Sequence, residues 1–383
     1  MNRSDDEVLL LAVGDVFPDR PDPAQSFVLV RDAMRRADIA FCQLEANLTE
    51  GGTRLPQARH AVRGDPRMAT ALRDTGFNVV SFAGNHCLDF GREAFLETIE
   101  RVSRAGAAIV GVGATIDEAR RPAIVESKGN RVGFLAYSSI LPMGYWAEQD
   151  RAGCAPMRAW TIYEQIEHDQ PGTPCRIHTF PNRDDLRAMR DDIKRAKTNA
   201  DVVIVSLHWG IHFVPAVIAD YQRDVAYAAI DAGADLILGH HAHILKGIEI
   251  YKDKPIFYSL CNFAIDLRMD AKLAASKGFK EIQGLHPQWQ PDFDSLYNFP
   301  PDSRKSVVVK CLIAEGAVKS VSILPVYINS NAQPEILASG DPRFAEVVGY
   351  LDEISAQQGL GTRFVSHGNE VFATPAPQDG DGQ

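Results

Sequence analysis

Apolar and polar positions along the chain alternate between two kinds of block. Residues 8–13, 39–44, 78–82, 202–207 and 236–238 are short runs of mostly Val, Ile, Leu, Phe and Ala, the pattern of strands buried on both faces. Residues 25–37, 65–75, 93–105, 184–197 and 219–232 instead repeat apolar side chains at helical steps, as at Phe27, Val30 and Met34, and predict amphipathic helices. Pro66 marks the entry into the second of them. Further strands are expected at 107–110, 124–125, 131–137, 245–251 and 256–258. Alternation of this kind predicts an α/β protein whose sheet is flanked by helices and is mixed or split in two.

Two segments break the rhythm. Residues 141–183 carry several prolines with Trp146 and Trp160 and little periodicity, and read as a long insertion. Residues 266–304 gather Pro287, Pro291, Pro300 and Pro301 around Trp289, Phe293, Tyr297 and Phe299, a composition suited to a substrate wall or a subunit contact. After them, 306–313 and 320–326 form an expected hairpin through Glu315-Gly316, and 341–357 a closing helix. The organisation is therefore a core over 7–265 interrupted by 141–183, a loop insertion at 266–304, strands and a helix packed on the core at 305–360, and a disordered tail at 374–383.

The ends of the apolar runs carry the chemistry. The five runs are followed in turn by Asp15, by Glu45 and Asn47, by Asn85-His86, by His208, and by His240-His241-Ala242-His243 after Gly239. In an open α/β sheet the carboxyl ends of the strands line one crevice, so these residues are expected to meet. Packed histidines are costly unless something polar or cationic organises them. His241 and His243, one residue apart on a turn, suit one divalent ion or two neighbouring ones. Taken alone, a polar turn with a single structural histidine is an equally open reading.

Composition narrows the classes. The formal charge of -10 over 383 residues argues against a nucleic-acid binder or a membrane-surface protein, though not against an anionic ligand held by metals. No apolar run reaches the roughly 18 to 20 residues that span a bilayer, and the acidic start is unlike a signal peptide, so no membrane anchor and a cytoplasmic location are expected. The six cysteines form no CxxC pair, which speaks against a zinc ribbon and against disulfides. They read as small buried hydrophobes, with Cys87 and Cys261 near the strand ends.

Gly14-Asp15, Leu44-Glu45, Gly84-Asn85-His86 with Asp89 and Gly91, His208-Trp209-Gly210, Gly239-His240-His241-Ala242-His243 and Tyr258-Ser259-Leu260-Cys261-Asn262-Phe263 follow one another in a familiar order. Over about residues 8–264 the chain resembles the CapA/PgsA family of poly-γ-glutamate capsule synthesis proteins, itself similar to the calcineurin-like metallophosphoesterases. The resemblance implies a four-layer αββα sandwich with mixed sheets. It implies one or two divalent ions, manganese, zinc or iron, held by Asp15, Glu45, Asn85, His208, His241 and His243, with His86 as proton donor oriented by Asp89. Arg92, His212 and Asn262 would contact a small anionic or peptide-like substrate.

The chain departs from that pattern in four places. Asp15-Val16-Phe17 stands where the phosphoesterases have Asp-x-His, so one metal loses an imidazole. His212 stands in place of a glutamate and is open to reading as a ligand, a substrate contact or a solvated side chain. Cys261 replaces a glycine, and Gly84 a second asparagine. Three functions are implied: a metal-dependent hydrolase of an amide such as a γ-glutamyl bond, a phosphoesterase, or a non-catalytic subunit of polymer synthesis. The absence of an anchor favours the free enzyme, and a homo-oligomer stays open.

Overall fold

The computed structural model describes residue 4 and residues 6–376. Two mixed sheets stack face to face. The larger takes in β1 (Val8–Phe17), β2 (Ile39–Leu44), β3 (Val79–Ser81) and β4 (Ala108–Val110), all parallel. The smaller has β5 (Ala123–Ser127), β6 (Asn130–Ser138), β9 (Val202–His208), β10 (Leu236–His240), β11 (Ile248–Tyr251) and β12 (Lys254–Phe257), in the order β11-β12-β10-β9-β6-β5. Between β6 and β9 lies a separate ribbon of β7 (Ala159–Gln165) and β8 (Cys175–Pro181). The larger sheet is completed by β13 (Asn262–Ile265), the long hairpin β14 (Lys305–Ala314) and β15 (Ala317–Ile328), and the final hairpin β16 (Thr362–His367) and β17 (Glu370–Pro375).

Period-two alternation explains the layering. On β9, Val202 and Ile204 join the core between the sheets, whereas Val203, Val205 and Leu207 pack outward. Helices α3 (Arg183–Lys197) and α4 (Asp220–Ala232) cover that outer face through Met189, Ile193, Val225 and Ala229. Asn182 caps α3 by accepting from the N–H groups of Asp184 and Asp185. Helices α1 (Met68–Thr75) and α2 (Gly91–Arg104) bring Met68, Leu72, Phe95 and Val102 into the core of the larger sheet. Helix–sheet–sheet–helix is the four-layer αββα arrangement that the resemblance implied.

Several expectations are corrected. The helix expected over 25–37 is a 3-10 turn at Pro23–Phe27 and a single helical turn at Arg31–Met34. β-Branched Val28 and Val30 disfavour a continuous helix between them. The insertion at 141–183 contains the β7–β8 ribbon, and 266–304 contains α5 (Lys277–Leu285) preceded by the short turn Ala271–Ala274. Helix α6 (Pro342–Gln357) packs near β15 and β16. Thr374 and Pro375, placed in the disordered tail by composition, pair in β17 with Arg363 and Thr362. Residues 377–383 of that tail lie outside the described residues. No helix among the described residues is long and apolar enough to cross a membrane.

Candidate metal centre

All five parallel strand ends deliver their donors to one place. Asp15 lies in β1 beside a register shift, past Ala12, where the strand has exchanged its pairing with β14 for pairing with β13. Its backbone N–H donates to Cys261 O at 3.1 Å. A Cβ on Gly14 would stand 1.9 Å from that carbonyl oxygen, so only glycine permits the approach. Gly84 has a related reason: a Cβ there would lie 3.2 Å from Gln43 Nε2 and 3.4 Å from His208 Cε1.

One donor atom each from buried Asp15, Glu45 and His208 lies within 4.8 Å of the other two. His208 Nε2 is 2.7 Å from Asn85 Oδ1 and 3.2 Å from His241 Nδ1, and His208 Nδ1 is 3.3 Å from Glu45 Oε1. Asp15 Oδ2 accepts from the backbone N–H of His241 at 3.1 Å and lies 3.6 Å from His243 Nδ1. His243 Nδ1 in turn meets Asn262 Oδ1 at 2.7 Å, while Asn262 Nδ2 donates to Tyr297 Oη at 2.8 Å and Tyr297 donates to Ser303 O at 2.6 Å. That chain fixes the tautomer of His243 and leaves its Nε2 lone pair free.

The donor set fits a divalent cation. Asp15 Oδ1 and His208 Nδ1 are buried without a hydrogen-bond partner, which is costly unless a further species satisfies them. Burial, then neighbouring imidazoles, hold His208 and His241 well below the ordinary imidazole range. Burial lowers His243 as well, against the pull of Asp15. All three are thus neutral near pH 7, the form that ligates metal. Burial and the carboxylates of Asp15 and Asp89 push Glu45 well above its usual range, a penalty that an adjacent cation offsets.

Around this cluster the remaining candidates separate. His86 Nδ1 lies 2.7 Å from Asp89 Oδ2, and Asp89 also accepts from Val62 N–H at 2.8 Å and Tyr145 Oη at 3.1 Å. His212 is exposed, with its ring 3.9 Å from that of His241 and 5.1 Å from that of His243. Dense surrounding protein nevertheless lowers its pKa well below the imidazole range. Asn262 is fully buried with both ends of its amide engaged, so it positions His243 instead of facing a substrate. Arg92 is exposed on the first turn of α2 and makes no hydrogen bond or ion pair with any described residue, the cluster included. Cys87 and Cys261 are buried, and burial raises both thiols well above their usual range, which leaves them unreactive.

Sequence reasoning did not single out Tyr145, in the first insertion, named Tyr297 only as an aromatic of the second, and counted His240 among the strand-end histidines without placing it in the metal set. His240 is fully buried, its Nδ1 3.1 Å from Asp15 Oδ1.

The family model described as bacterial capsule synthesis protein PGA_cap matches residues 9–267. The chain belongs to this family. PGA biosynthesis protein CapA of Bacillus subtilis (strain 168) is 30% identical over 196 residues, covering 51% of this chain and 44% of that protein. Capsule biosynthesis protein CapA of Bacillus anthracis is 31% identical over 196 residues, with 51% and 42% covered. The chain thus spans less than half the length of these two PGA_cap relatives. Among solved structures, calcineurin-like phosphoesterase YfkN from Bacillus subtilis aligns over 92% of this chain and 97% of that chain at 15% identity, with a TM-score of 0.42.

Proposed function

We propose that this PGA_cap protein is a metal-dependent hydrolase of an amide bond, of the γ-glutamyl or a related peptide kind, acting in capsule-polymer chemistry. The observation that carries the reading is the convergence of Asp15, Glu45, Asn85, His208 and His241 around buried, unpartnered donor atoms. These residues with His243 would hold one or two ions of manganese, iron or zinc. A bound ion of this kind supplies Lewis acidity and lowers the pKa of water toward neutrality. Asp89, itself held by Tyr145 and the Val62 N–H, orients His86 so that Nε2 carries a proton toward the leaving nitrogen. An amide needs that proton, because an amine does not depart as its anion.

The engagement of two of the three candidate cations supports amide over phosphoester; Arg92, exposed and unpaired, is the exception. Arg20 is spent on Asp266 and on Asn331 O, and Lys246 is buried and donates to Val214 O. Neither is free for phosphate oxygens, which phosphoester chemistry needs to have clamped. The test is elemental analysis of purified protein beside His241→Ala, followed by assays of the metal-loaded protein on γ-glutamyl anilides and p-nitrophenyl phosphates. Metal lost in the variant, with turnover of the anilide, supports the proposal. Turnover of the phosphate ester alone moves the assignment to a phosphoesterase, and protein that takes up no metal removes the hydrolase reading.

A further inference from the structure

We propose that His240 is itself a ligand of the metal centre, on the Asp15 side; the inference rests on the metal-centre reading above. Leu236, Leu238 and His240 share one face of β10, because side chains alternate along a strand, and the two leucines lie in the core between the sheets. His240 therefore points into that same layer, with its ring 5.8 Å from Phe41 of β2. It is fully buried, and neither ring nitrogen has a hydrogen-bond partner.

The decisive relation is with Asp15. His240 Nδ1 and Asp15 Oδ1 are 3.1 Å apart, yet both lack an aligned hydrogen bond. A histidine that merely donated to the carboxylate would place its N–H along the line to the oxygen. Two buried lone-pair donors that approach without a proton aligned between them are satisfied together by a cation. Phe17, at the end of β1, has no donor to offer on this side. Asp15, Glu45 and His243 would supply three ligands to an ion on this side, and His240 would raise the number to the four that such ions commonly take. The other ring nitrogen has no acceptor within hydrogen-bond distance, and Gln43 Oε1, Ser81 Oγ and Ser206 Oγ are likewise buried and unpartnered. A ligating histidine ordinarily gives its second N–H to such a group.

The experiment compares wild type, His240→Phe and His241→Ala by equilibrium dialysis and calorimetric titration with Zn2+, beside thermal melts in chelator. His240→Phe is expected to weaken binding of one ion about tenfold or more, with an unchanged or higher melting temperature without metal. Wild-type stoichiometry with affinity within about twofold in His240→Phe overturns the proposal while leaving the centre intact, provided His241→Ala loses metal. Wild type that binds no Zn2+ overturns the centre and this inference together. Should His240→Phe not fold, His240→Cys loaded with Co2+ decides: a thiolate-to-cobalt charge-transfer band absent from cobalt-loaded wild type shows that side chain 240 touches the ion, and a spectrum like that of wild type overturns the assignment.

Discussion

The layer between the two sheets consists of two regions built by the same strands. In one, Phe41 of β2 stacks on Phe134 of β6 with ring centroids 5.9 Å apart and planes 7° from parallel. Two residues further along β2 the same face carries Gln43, and beyond it stand His240, Asp15 and His208, each with buried polar atoms left unpartnered. The first region stabilises the fold by closing over apolar surface. The second costs stability and gathers the donors of the proposed metal centre, which is how a candidate site differs from a core made of the same strands.

The comparison breaks if substitutions in the two regions have interchangeable effects. The largest effect is expected at His208→Ala, which should reduce bound metal and hydrolysis to background in elemental analysis and turnover assays while the chain stays folded by circular dichroism. Phe134→Ala should do the reverse. Urea unfolding should show a loss of about 3–5 kcal/mol, with metal per folded molecule retained.

Lys246 sharpens the boundary between the regions, because burial alone pushes its ammonium down to about 7. Between that value and the ordinary lysine range the unfolded chain binds more protons than the folded one, so stability rises with pH across this window. Urea unfolding at pH 7 and pH 9 should show a gain of about 2 kcal/mol in wild type and none in Lys246→Met. The smallest effect belongs to Tyr297→Phe. Removing its hydroxyl from Asn262 should weaken metal binding about tenfold by calorimetry and cost ~1 kcal/mol of stability.

What was legible in the sequence is what strand ends make local. Asp15, Glu45, Asn85, His208 and His241 each follow an apolar run, and the parallel arrangement of β1 with β2 and of β9 with β10 does the rest. His240 needed one further step. Reading the strand as ending at Leu238 hid the alternation that turns residue 240 inward. Asn262 misled because the direction of its amide is set by Tyr297, 35 residues away in an insertion without periodicity. The β7–β8 ribbon was illegible for another reason: Trp160, Ile162, Tyr163, Ile177 and Phe180 are exposed on both of its faces, so no polar face alternates with an apolar one.

The contact between Gly14 and Cys261 has a consequence for how the molecule comes into being. Asp15 pairs with Asn262, so β1 finds this edge only after just over two-thirds of the 383 residues have been made and the intervening loops closed. No fragment ending before residue 243 contains the full donor set, and none ending before 262 has the strand that seats Asp15. Metal capture by the proposed centre during refolding would therefore report that β1 and β13 have come together.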